Sequence, residues 1–173
     1  LVRVYRAVAD AAGATVVVDS SKMPGDAALA ATASGIDLHL VHLVRDPRAV
    51  AWSWQRPKLM TDLVPPRAIP PHSPSASTAQ WSTWNLLLER VARRAASATF
   101  LRYEDLVHRP APVLAALARA AGLCPDDAAR LVGEGTIRIA PGHTVAGNPA
   151  RFETGTVPVR LDDAWRRDQP LAH

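Results

Sequence analysis

The stretch Leu38-His39-Leu40-Val41-His42-Leu43-Val44-Arg45-Asp46-Pro47-Arg48-Ala49-Val50-Ala51-Trp52-Ser53-Trp54 decides the fold. Its first seven residues read as a strand that stops at a charged pair. Asp46 and Pro47 then supply a helix N-cap and a proline at the first helical position, so a helix runs to about Gln55. Upstream, Thr15-Val16-Val17-Val18-Asp19 is a β-branched run between turn formers and reads as a buried parallel strand. Between the two strands, residues 24–34 are Ala-rich, carry Pro24 in the first turn and stop at Gly35, which reads as a helix. Strand, helix, strand, helix over this short span is the βαβ signature of an α/β protein.

Further out, Val4, Val8 and Ala11 mark an amphipathic helix over residues 2–12 that ends at Gly13. Residues 57–77 hold Pro57, Pro65, Pro66, Pro70, Pro71 and Pro74, which predicts a long irregular loop. Thr78 is the expected N-cap of a long helix to Ala98, with Trp81, Trp84, Leu87, Leu88 and Val91 at helical spacing. Residues 99–103 are a third strand, and helices are predicted over 111–121 and 125–132. Residues 135–155 read as a Gly- and Pro-rich loop, and 162–168 as a last short helix. The whole of 1–173 is expected to be one domain without internal repeats.

Composition narrows the function classes. At 173 residues and 48% hydrophobic, the chain can bury a core without disulfides or metals. The lone Cys124 excludes an intrachain disulfide framework and any Cys-rich zinc site. No apolar run approaches the roughly 20 residues of a membrane span. The opening LVRVYRAVADAAG lacks the apolar core of a signal peptide, so a cytoplasmic location is expected. The net charge of +4 is carried almost wholly by arginine, with Lys22 and Lys58 the two lysines. Arginine forks suit an anionic ligand. Genomic base bias, which favours Ala and Arg over Lys, would give the same balance, and no nucleic-acid-binding motif accompanies it.

Ligands of α/β sheets sit at the carboxyl ends of parallel strands. Three polar clusters follow strand ends: Asp19-Ser20-Ser21-Lys22, Arg45-Asp46-Pro47-Arg48 and Arg102-Tyr103-Glu104-Asp105. Arg45 leaves a strand just before a helix N-terminus, and Ser53 stands eight residues on, two turns into that helix. Together they could cradle a phosphate. An Arg45 paired with Asp46 or Asp19, and a Ser53 bonded to a helical carbonyl, fit the same spacing. Arg48 is either a phosphate contact or half of a surface ion pair. Trp52 and Trp54 flank Ser53, and one of them is expected in the core.

VVVDSSKMP, LHLVHLVRDPRAVAWSW, W-N-x-L, FLRYEDLVHRP, HTVAGNPARF and a terminal DDAW, in that order, closely resemble the sulfotransferase family over about residues 15–166. The resemblance implies a three-layer, mostly parallel sheet flanked by helices, of the P-loop nucleoside-kinase-like kind. It also implies transfer of a sulfuryl group from 3′-phosphoadenosine 5′-phosphosulfate to a hydroxyl or amine, without a metal. The implied partners are this nucleotide donor and a small-molecule or glycan acceptor, with no nucleic acid and no membrane. By position, Arg45 and Ser53 match the family's 3′-phosphate pair, and Tyr103 matches a tyrosine beside the nucleotide. Lys22 matches a lysine that stabilises the bridging oxygen as the sulfuryl group departs; a solvated lysine at a helix start is the plainer reading. Ser20 and Ser21 bond ligand or cap the next helix. Asn148 and Arg151 lie in a segment resembling a loop that closes on the nucleotide, or in a plain surface turn.

Two features stand apart from the family pattern. No general base is evident: Asp19, His39, His42, His72 and His143 are the residues weighed, and His42 reads as a core residue. No Gly-rich phosphate loop precedes the first strand, and the chain begins at Leu1. The domain is therefore expected to be N-terminally incomplete, with little turnover by itself and an exposed sheet edge. A non-catalytic nucleotide-binding remnant is the alternative; a phosphotransferase lacks both the Walker lysine and a clear Mg²⁺ pair.

Overall fold

The computed structural model describes residues 1–60, 67–142 and 153–168. Helix α1 spans Val2–Ala12, and Gly13 closes it in the left-handed conformation (φ 59°) with its N–H turned back to Ala9 and Asp10. This is the glycine stop read from the sequence, in a left-handed conformation that favours a residue without a Cβ. Helix α2, Pro24–Thr32, starts with its proline in the first turn. Strand β1, His39–Val44, leads into α3, Pro47–Trp54, where the Asp46 side chain accepts from the Arg48 N–H as the N-cap.

Residues 15–19 form no strand, contrary to expectation. A β-branched run becomes a strand only when a neighbour completes its ladder, and none lies beside it among the described residues. The other two strands form, the last of them shifted: the helix expected to reach Ala98 ends at Ala92, the strand begins at Ser97 rather than 99, and Tyr103 opens the next helix. β4, Ser97–Arg102, pairs in parallel with β1, in register from His39 opposite Ser97 to Val44 opposite Arg102. Among the described residues the sheet holding β1 is this single parallel pair, and two small antiparallel sheets accompany it. The molecule is α/β in class.

Within the proline-rich segment, whose residues 61–66 lie outside the described residues, two short strands form. β2, Lys58–Met60, pairs antiparallel with β3, Arg67–Ile69. Pro57 and Pro70 flank this pairing rather than interrupt it, so no ladder donor is lost. The His72 N–H then donates to the Trp54 carbonyl at 2.9 Å. Helix α4, Pro74–Ala92, begins before Thr78: Ser73 is the cap, and Pro74 occupies the first helical position. Thr78 lies inside the helix and donates its hydroxyl to the Pro74 carbonyl at 2.9 Å.

After β4 come α5, Tyr103–His108, α6, Pro110–Ala120, and α7, Pro125–Ala129. The helix expected to reach Val132 stops early, because β5, Val132–Gly133, turns at Gly135 (φ 62°) and pairs with β6, Thr136–Ile139. β6 thus falls within residues 135–155, which read in sequence as a loop, and β7, Gly155–Pro158, pairs with it as a third antiparallel strand. His143, Asn148 and Arg151 lie outside the described residues. The chain then enters α8, Trp165–Asp168.

Packing concentrates at two places. On the inner face of β1, Leu40 and His42 are buried against α4, and His42 Nε2 meets Asn85 Oδ1 at 2.7 Å. The outward residues Val41 and Leu43 of β1 remain 47% and 51% exposed, whereas Leu101 of β4, opposite Leu43, is buried. Elsewhere Ala49 and Trp52 of α3 pack with Trp165 of α8. The guanidinium of Arg56 lies 3.3 Å from the Trp52 ring centre, and that of Arg48 4.7 Å from the Trp165 ring centre.

Trp165→Ala removes the side chain that holds α8 against α3. It should cost about 3 kcal/mol, in the range for a buried aromatic. Trp52→Ala should cost a similar amount, and the double variant less than the sum, as for residues in contact. Urea denaturation of the four proteins measures this; strict additivity would mean that the two indoles do not support one another.

Candidate functional site

β1 and β4 run in parallel and end level with each other, so the residues that leave them, Arg45 and Tyr103, emerge side by side. The Arg45 guanidinium lies over the Tyr103 ring, 4.7 Å from its centre. Its Nη2 donates to the Asp162 carbonyl at 2.8 Å and to Asp162 Oδ2 at 2.9 Å. The Tyr103 hydroxyl accepts from the Asp162 N–H at 3.2 Å and donates to the Arg160 carbonyl at 3.4 Å. Arg45 thus pairs with Asp162, and not with Asp46 or Asp19.

The surrounding groups fix this corner. The Trp81 indole N–H, from α4, donates to the Arg45 carbonyl at 3.1 Å. Glu104 Oε1 accepts from the Asp46 N–H at 3.4 Å, while its Oε2 lies 3.8 Å from Arg102 Nε. Glu104 therefore ties the first turn of α5 to the N-cap of α3. Arg48 folds back on Asp46, with Nη2 to Oδ2 at 2.8 Å and Nε to Oδ1 at 3.1 Å. That contact holds the Asp46 carboxyl below its usual range. A depressed folded value means the cap's contribution is present above about pH 4 and is lost as pH falls through the lower folded value.

Ser53 lies half-buried on α3, which the Arg45 exit feeds directly, and is itself engaged within the protein. Trp52 is the core member of the tryptophan pair. Trp54 instead faces His72, with ring centres 5.1 Å apart, and Trp84 at 6.4 Å.

The first cluster is organised differently. Asp19 accepts from the Tyr5 hydroxyl of α1 and from the Ser21 N–H at 2.7 Å. It forms no ion pair with Lys22. Lys22, Ser20 and Ser21 are exposed just before α2, and no hydrogen bond or ion pair joins Lys22 to Arg45 or Tyr103 among the described residues. Of the histidines, His39 bonds Ser97, and His42 is a satisfied core residue, as expected.

Asp162 is the site residue that sequence reasoning did not assign, although DDAW was already visible as a motif. Trp81 is a second, marked in the sequence only by its helical spacing on α4. No family model matches the chain, nor does any curated protein or solved structure.

The Tyr5–Asp19 bond pushes the Tyr5 phenol up to about 12, chiefly through the hydrogen bond itself and then through burial. A raised folded value stabilises the protein fully below the unfolded value of about 10 and is lost as pH rises through the folded one. The chain has two tyrosines, so Tyr103→Phe isolates Tyr5. Its phenolate absorbance should titrate near 12, and adding Asp19→Asn should bring the midpoint down towards about 10. A midpoint near 10 with Asp19 intact would show that the bond does not persist in solution.

Proposed function

We propose that this chain is a sulfotransferase, or the nucleotide-binding part of one, acting on 3′-phosphoadenosine 5′-phosphosulfate. The observation that carries this reading is the arrangement at the strand ends. Arg45 leaves β1 directly into the capped N-terminus of α3, Ser53 lies two turns along, and Tyr103 stands beside Arg45. These are the positions that the motif resemblance assigns to the 3′-phosphate and the nucleotide. An arginine fork and hydroxyl at a helix N-terminus suit a phosphate chemically.

In the proposed reaction the acceptor oxygen or nitrogen attacks sulfur. The bond from sulfur to the bridging oxygen breaks, adenosine 3′,5′-bisphosphate departs with that electron pair, and the acceptor proton passes to a base. Lys22 is assigned the charge that develops on the bridging oxygen. Asp162 enters as a competitor: its carboxylate occupies the Arg45 fork that a 3′-phosphate would take. Lys22 is exposed and is joined to neither Arg45 nor Tyr103 among the described residues, which favours a second reading, nucleotide binding without transfer, in which Lys22 has no catalytic part.

Calorimetric titration should show adenosine 3′,5′-bisphosphate binding more tightly than adenosine 5′-monophosphate. Arg45→Ala should lose about 1.5–3 kcal/mol of that binding, the range for hydrogen bonds to a charged group. Asp162→Asn should tighten it by about 0.5–1 kcal/mol, the value of a partly exposed ion pair. Equal affinity for the two nucleotides would remove the donor assignment.

Where turnover is measurable, Lys22→Ala should lower kcat and kcat/KM together by about 10²–10³ while bisphosphate affinity is kept. Lys22→Arg should recover only part, because a planar fork does not replace a point charge. Undiminished turnover in Lys22→Ala would leave the nucleotide site standing and remove the catalytic role.

A further inference from the structure

A groove of about 490 Å³ lies between α2 and the C-terminal half of α4, and neither Arg45, Ser53 nor Tyr103 lines it. Its α2 wall is apolar and shallow: Pro24, Ala28 and Ala31 fall on one helical face. Leu87 and Val91, one turn apart on α4, continue that apolar surface, and Leu87 is 43% exposed. Gly25 widens the groove further, since a Cβ built there would meet nothing within 4 Å.

The α4 side carries Arg90, Arg93 and Arg94, and among the described residues no carboxylate lines the groove. Arg90 turns one donor to the Leu86 carbonyl of its own helix at 3.4 Å. None of the three arginines forms an ion pair among the described residues, whereas Arg45, Arg48, Arg102, Arg109 and Arg130 each do. Cations at a helix C-terminus are favourable to the helix dipole. The dipole accounts for their position in sequence; it does not account for an open apolar trough directly beside them.

We infer that this groove is a binding site for a small amphiphilic organic anion, an aromatic or aliphatic body ending in one carboxylate, sulfate or sulfonate. The apolar body lies along Pro24, Ala28, Leu87 and Val91, and the head group meets the arginine forks. The volume is of the size that holds small organic ligands. Three donor-rich cations without acidic partners select against neutral and cationic molecules of the same shape. The site is separate from the nucleotide reading of Arg45 and does not depend on it.

The test is calorimetric titration of the full chain with naphthalene-2-sulfonate, against 2-naphthol at neutral pH as the uncharged body and inorganic sulfate as the bare head group. One site is expected, at least tenfold tighter for the sulfonate than for either control. Arg93→Gln combined with Arg94→Gln should weaken it at least tenfold. Gly25→Leu should abolish it by filling the trough. Gly25 sits in helical backbone with open space beside it, so this variant should melt at or above the parent temperature while binding is lost. Absence of sulfonate binding, equal binding of 2-naphthol, or affinity unchanged in the arginine and Gly25 variants would each overturn the inference.

Discussion

The parallel pairing of β1 with β4 is the constraint on which the rest of the structure depends. Parallel neighbours cannot be joined by a tight turn, so the chain must travel back the full length of the sheet before re-entering it. The return path here comprises α3, the β2–β3 hairpin and α4. It places α4 against the inner face of β1, where Leu40 and His42 are buried, and the His42–Asn85 bond satisfies the polar group that burial would otherwise strand. The same pairing brings the two strand ends level, and so sets Arg45 beside Tyr103 before any long-range side-chain contact is considered.

What closes over those strand ends comes from the far end of the chain. The Asp162 backbone and carboxylate contact both Arg45 and Tyr103, and three residues later Trp165 packs on Ala49 and Trp52. The segment is thus held twice, once by charge and hydrogen bonds at the strand ends and once by apolar contact with the helix that follows them. These two attachments differ in kind. Burial of an indole is not screened by salt, whereas a half-exposed ion pair is. An anion competing for Arg45 can therefore displace the carboxylate without detaching α8.

The arginines divide by environment. Those near the strand ends are paired with carboxylates or stacked on aromatic rings, as with Arg45 on Tyr103 and Arg48 on Asp46 and Trp165. Those at the end of α4 face an apolar groove with no acidic partner among the described residues. Overall composition cannot distinguish the two groups, since a guanidinium contributes the same formal charge in either place.

The sequence by itself determined the features that act over a few residues. Asp46-Pro47 caps and starts α3, Pro24 starts α2, Gly13 ends α1, and the apolar run before Arg45 makes β1; each follows from backbone geometry or a hydrogen bond reaching two or three positions. Arg45 at a strand exit, with Ser53 two turns on, was legible for the same reason. Only the tertiary structure decided that residues 15–19, strand-like in composition, form no strand, because a ladder needs a neighbour that local sequence does not name. It decided that three-residue segments flanked by Pro57 and Pro70 pair with each other. It also decided that the partner of Arg45 is Asp162, 117 positions away. Caps and turns are written in short spacings; ladders and ion pairs form across the folded chain, where spacing along the sequence carries no information about which groups will meet.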